Sequence, residues 1–111
     1  MSPTLNIQKK YFNLIQNNKK TIELRLYDEK RKLIKINDVI TLICNETNEE
    51  LKAKVIKLYR AKNFDELVKI INIENTGFRT LKELKDNMLQ FYTVEKQNTF
   101  GVLGIQIELV Q

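Results

Sequence analysis

A change of hydrophobic period near residue 18 constrains this chain more than any other feature. Ile7, Tyr11, Leu14 and Ile15 have the one-face spacing of a short amphipathic helix over 7–17, which Asn17-Asn18 can end through a left-handed residue. From Lys20 to Tyr27 the pattern becomes strict alternation. Ile22, Leu24 and Leu26 take one face, and Thr21, Glu23, Arg25 and Tyr27 the other. A helix that feeds directly into a half-buried strand requires a mixed architecture, and the order of the remaining segments selects which one.

The charged run Asp28-Glu29-Lys30-Arg31-Lys32 reads as a solvated turn, and Asn37-Asp38 as the turn before an apolar strand over Val39 to Cys44. Asn45-Glu46-Thr47-Asn48 then leads into a second strand over 51–56, so these two runs form a hairpin. The alternation slips at Val55-Ile56, where a bulge is expected. Asn63 is the N-cap of a helix through Ile71, with Asp65 and Glu66 favourably placed in its first turn. Thr80 with Glu83 fits a capping box for a further helix, whose stripe is Leu81, Leu84, Met88 and Phe91. Gly101 to Val110 is a closing strand. The expected class is α+β, with the last strand pairing back to the early ones and the sheet curling toward a barrel. At 111 residues with no repeat, low-complexity tract or linker, a single domain over 1–111 is expected.

Composition then limits the chemistry. The sequence has no histidine, which excludes a Ser-His-Asp triad and a His-based metal centre. Cys44 is the single cysteine, so there is no intrachain disulfide and no Cys/His ligand set, and it reads as a small buried hydrophobe. No metal and no cofactor are expected. Any catalysis falls to Lys, Glu, Asp, Tyr, Thr or Ser. No apolar run reaches the roughly 20 residues that cross a bilayer, and the first residues do not read as a secretory leader; the expected location is intracellular, in the cytoplasm or nucleus, with no membrane contact. The formal charge of +5 favours an anionic partner.

The stretch Asn18 to Asp28 carries the densest chemistry. Glu23 and Arg25, two apart on a strand, point the same way, and Lys20 precedes them. Arg25 offers a planar fork to a phosphate or base edge, Glu23 accepts from an amine or amide, and Lys20 supplies a cation, or a base if desolvated. Tyr27, Tyr92 and Phe100 offer flat faces for stacking a base, and Lys9, Lys10, Lys19, Lys30, Arg31, Lys32 and Lys35 a basic rim.

This stretch resembles the signature of the ASCH family, G-x-K-x-x-E-x-R, carried here by Asn18, Lys20, Glu23 and Arg25. Leu26-Tyr27-Asp28-Glu29-Lys30-Arg31, Ile36-Asn37-Asp38-Val39-Ile40, Phe64-Asp65-Glu66-Leu67, Phe91-Tyr92 and Phe100-Gly101-Val102-Leu103-Gly104-Ile105 resemble further family segments in order, so the likeness spans nearly the whole chain. Two family glycines are asparagines here, Asn18 and Asn37, a residue that tolerates left-handed backbone. The resemblance implies a PUA-like curled β-barrel with peripheral helices and a cleft holding the signature residues. It also implies RNA- or nucleotide-related function, with single-stranded RNA, a nucleotide or a nucleoside as partner. Alternatives within the superfamily are a small hydrolase, acetylcytidine-type amidohydrolase or metal-independent ribonuclease, with Lys20 and Glu23 as its catalytic residues, or a protein-interaction module in transcription or translation. Against the amidohydrolase pattern, Lys20 matches the signature lysine, Glu23 stands where a threonine is expected, and Glu74 is a loose counterpart of the catalytic glutamate.

Overall fold

The alternating segment forms a strand, and nearly everything around it is organised by the two faces it presents. A computed structural model describes residues 3–110. In chain order the elements are β1 (Thr4–Ile7), α1 (Lys9–Gln16), β2 (Ile22–Leu26), β3 (Val39–Cys44), β4 (Glu50–Ala61), α2 (Phe64–Leu67), α3 (Leu81–Leu89), α4 (Val94–Phe100) and β5 (Val102–Leu109). Short 3-10 turns lie at Arg31–Leu33 and Ile73–Thr76.

The strands make one sheet in the order β1-β3-β4-β5-β2, with β1 parallel to β3 and every other pair antiparallel. The closing strand pairs with both β2 and β4, as the order of segments predicts. The expected bulge appears as a register shift between Val55 and Lys57, which turns the long strand β4 and lets the sheet curl. The curl stops short of a closed barrel: β1 and β2 are the sheet's two edges, and the architecture is an α+β half-barrel of the PUA-like kind.

Two apolar clusters sit on opposite faces of that sheet. Inside the curl, Leu5 and Ile7 of β1, Ile40, Leu42 and Cys44 of β3, Ala53 and Val55 of β4, and Leu103, Ile105 and Ile107 of β5 pack with Phe12 and Ile15 of α1. On the outer face Ile22, Leu24, Leu26 and Val102 meet Phe64, Leu67, Phe78, Leu84 and Met88. Strand β2 is therefore buried on both sides rather than half-buried, and its inward positions are the polar Glu23 and Arg25. Four strands line the interior mainly with hydrocarbon, and β2 lines it with charge.

Local signals fix several joints. Asn18 and Asn37 have φ values of 60° and 78°, the left-handed backbone that their family glycines would adopt. Asn63 and Thr80 cap their helices by accepting from the Glu66 and Glu83 amides. Gly101, between α4 and β5, has φ 76° and ψ −178°, a region almost closed to side chains, and an added Cβ would stand 3.0 Å from the Ala61 carbonyl oxygen. Gly101→Ala should therefore cost about 1–3 kcal/mol, seen as a lower urea midpoint at unchanged slope. An alanine variant as stable as the parent would show that the joint relaxes freely.

Candidate functional site

The site grows out of the gap between the two edge strands. Lys20 enters at the head of β2, where its Nζ donates to the Ile22 carbonyl at 3.0 Å and the Thr76 carbonyl at 2.6 Å, and lies 3.1 Å from Glu23 Oε1. It is 3% exposed, with Nζ 5.5 Å from the Tyr11 ring centre and 5.9 Å from that of Phe78. Its stem passes Gly77, whose φ is 88° and where an added Cβ would come within 3.4 Å of Lys20 Cδ. Burial pulls the Lys20 ammonium below its ordinary range, with Glu23 working against that shift. Three acceptor oxygens and no donor surround Nζ, which is the environment of a cation with all its protons committed.

Glu23 is held from several sides. Oε1 takes the Leu24 amide at 3.2 Å as well as Lys20, and Oε2 takes Arg25 Nη2 at 2.8 Å. Burial alone would raise this carboxyl, but Lys20 and Arg25 outweigh it and hold it at about 2. Arg25 then bridges the gap: the same Nη2 donates to the Asn6 carbonyl of β1 at 2.8 Å, joining the two sheet edges through a side chain. Burial opposes the guanidinium charge, yet Glu23 and then the Tyr92 phenol more than restore it. Both bonds from Arg25 to the protein backbone or to Glu23 leave from Nη2, so the donors on Nη1 and Nε are not spent on the backbone or on Glu23.

The cleft over this trio encloses about 230 Å³. Its polar lining includes Asn6, Gln8, Asn45 and Asn87 beside the trio, and its apolar lining Phe78, Met88, Phe91 and Tyr92. Tyr92 is steadied from behind by Gln97 of α4, whose Nε2 donates to the Tyr92 carbonyl at 3.1 Å. Asn87 donates to the Tyr11 hydroxyl at 3.0 Å, and burial, followed by Glu83 and Glu23, raises that phenol's pKa. Among the described residues no group of three or more potential ligands is gathered that could hold a metal ion, and no helix is long and apolar enough to cross a membrane.

Of the six candidates read from the sequence, Lys20, Glu23, Arg25 and Tyr92 meet in this cleft, while Tyr27 and Phe100 lie in a second one at the end of the half-barrel. Tyr27 points inward like Arg25, but it stands beyond the last residue of β2, about 7 Å further along the strand. Its ring is covered by the Arg60 guanidinium at 3.9 Å, so it offers no open face for a base. The basic rim divides in the same way: Lys9 and Lys10 open α1 beside the first cleft, whereas Lys32 lies over Tyr27 and Arg31 pairs with Asp28. Glu74 is exposed and absent from the lining of either cleft. Nothing in the local pattern signals Asn6, within the unrecognised strand β1, Gln8, just after it, or Gln97.

A PUA-like half-barrel with a Lys-Glu-Arg trio across its open edge defines the class of this protein. The chain belongs to the ASCH domain family, whose model matches residues 5–111. It is similar to the crystal structure of the hypothetical protein PH0355, at 37% identity over 99% of this chain and 100% of that one, with a TM-score of 0.88. It is similar also to the solution structure of PF0455 from Pyrococcus furiosus, at 34% identity over 100% and 99%, with a TM-score of 0.79. A mutant of the ASCH protein from Zymomonas mobilis shares the fold at 10% identity, with a TM-score of 0.66 over 97% of this chain and 73% of that one. No curated protein matches the chain.

Proposed function

We propose that this ASCH domain binds single-stranded RNA by holding one nucleotide or nucleoside in the cleft between β1 and β2, with Arg25 as the residue that touches the ligand. The observation that carries the reading is the division of labour within the signature trio. Lys20 has its three protons committed to protein oxygens and Glu23 is clamped between two cations, so both act to position Arg25, which keeps donors for a base edge or phosphate. Phe91, 49% exposed at the cleft mouth, and Tyr92 beside it supply flat apolar surface for stacking. A volume of about 230 Å³ lies below the roughly 300–1,000 Å³ of drug-sized sites, which suits a single base with its sugar. The net charge of +5 adds long-range attraction for a polyanion.

The test is titration of the pure protein with ribonucleosides and with a short labelled single-stranded RNA across a salt series. Binding should weaken as salt rises, and Arg25→Ala should lose about tenfold to a hundredfold in affinity for both ligands while circular dichroism confirms that it folds. Undiminished binding by Arg25→Ala, or none by the parent at low salt, would refute the proposal. The same mixtures, with an acylated cytidine included and read by mass, expose any turnover. A hydrolase would require Lys20 Nζ to give up one of its three acceptors to the substrate, and product formation would establish that it does.

A further inference from the structure

The end of the half-barrel away from the trio carries a second cleft of about 690 Å³, lined by Tyr27, Arg60, Lys62, Asn63 and the α4 residues Asn98 to Phe100. Its position follows from the register. Arg25, Leu103 and Arg60 are paired across β2, β5 and β4, so the two arginines share the inner face, separated by two strand spacings or about 10 Å. No carboxylate lines this cleft, and among the described residues neither Arg60 nor Lys62 forms an ion pair. Two cations with the side-chain amides of Asn63 and Asn98 beside them, and no carboxylate in the lining to neutralise them, make a site for an anion.

The geometry also says which kind of anion. Arg60 lies 3.9 Å over the Tyr27 ring, so its plane is fixed and the edge of its fork is free for paired oxygens. Lys32 lies 5.6 Å from the same ring but is paired with Glu29 at 3.3 Å, so the free charge of the cleft is that of Arg60 and Lys62. Phe100, 38% exposed, is the one large apolar surface on the rim, enough to receive a base and too little to form the apolar centre of a protein interface. We propose that this mouth of the half-barrel is a second subsite that takes a phosphodiester of the RNA strand, with Arg60 and Lys62 on its oxygens and Phe100 against the adjoining base. The inference rests on the proposed function of the first cleft and extends it from a single nucleotide to a strand.

The experiment compares the full chain with Arg60→Ala/Lys62→Ala on two probes, a ribonucleoside and a labelled six-nucleotide single-stranded RNA. The double variant should bind the hexamer at least about tenfold more weakly, with a salt slope shallower by roughly 1.4, the share of two phosphates, while its nucleoside affinity stays at the parent value. Lys54→Ala, six residues earlier on β4 and exposed, removes a charge at a distance and should change neither quantity. Parent affinity and slope in the double variant, or equal losses from Lys54→Ala, would overturn the subsite. If the parent binds neither probe, the first cleft's function fails by itself, and titration with pyrophosphate read by amide NMR decides the second. Shifts at Arg60, Lys62 and Thr99 that vanish in Lys62→Glu would sustain the anion site; no shifts would end it.

Discussion

Lys20→Ala should remove about 3–5 kcal/mol of folding stability, because it breaks a buried ion pair from one side only. The alanine leaves Glu23 inside the protein with Arg25 as its sole cation, strips the Ile22 and Thr76 carbonyls of their donor, and empties the space the stem fills beside Tyr11 and Phe78. A domain of this size has on the order of 5–15 kcal/mol in total, so the variant should melt at least about 10 °C below the parent and be partly unfolded in mild urea. Lys20→Met combined with Glu23→Gln should recover part of the loss, since the buried carboxylate is removed together with its partner. Melting of Lys20→Ala within a degree or two of the parent would mean that solvent reaches Glu23 and that the pair supports little.

Acid should weaken the fold through the same carboxyl. Burial raises the Glu23 pKa, Lys20 and Arg25 lower it further, and the result of about 2 lies well below the ordinary value of 4.5. The unfolded chain therefore takes up a proton that the folded chain refuses, and the stabilisation is fully present above pH 4.5 and is lost as pH falls toward 2. A depression of this size corresponds to about 3 kcal/mol. Urea midpoints from pH 7 to pH 2 should fall more steeply for the parent than for Glu23→Gln, which has no proton to gain at that position. Parallel curves for the two proteins would show that Glu23 titrates alike in both states.

The sequence made the strand bearing the trio visible because its alternation is strict, and the asparagines at 18 and 37 and the caps at Asn63 and Thr80 are each local devices with a local cause. What escaped was set by tertiary pairing. Strand β1 offers only Leu5 and Ile7 as apolar residues, and Ile7 fits the stripe of the following helix equally well, so nothing local separates the two elements. Helix α4 buries a single side chain, Gln97, and hence has no apolar period to detect. The helix expected through Ile71 stops after Leu67, and its continuation is a turn in which Lys69 and Ile70 bond back three residues. The trio itself was legible as a cluster, but the roles within it were not. That Lys20 is fully enclosed while Arg25 reaches across to β1 depends on the Thr76 and Asn6 carbonyls, which come from 56 residues later and 19 residues earlier in the chain. Tyr27 and Phe100 lie apart from the trio, which the sequence does not reveal because alternation and aromatic character say nothing of where along the barrel a side chain emerges.

The strand carrying the signature residues is paired only with β5, some 80 positions downstream. On a ribosome, Lys20, Glu23 and Arg25 would emerge early and wait without a partner strand, since β2 has no other neighbour in the sheet. The nascent chain can build the hairpin of β3 and β4 from local sequence, but the trio can be desolvated only after residues 102–109 have been made and docked. Such distant pairing is slow, because a long loop must close before any of its bonds form. Assembly of the cleft in this molecule is thus a late event of biosynthesis, and a fragment ending before β5 would carry the whole signature in its sequence and none of the site.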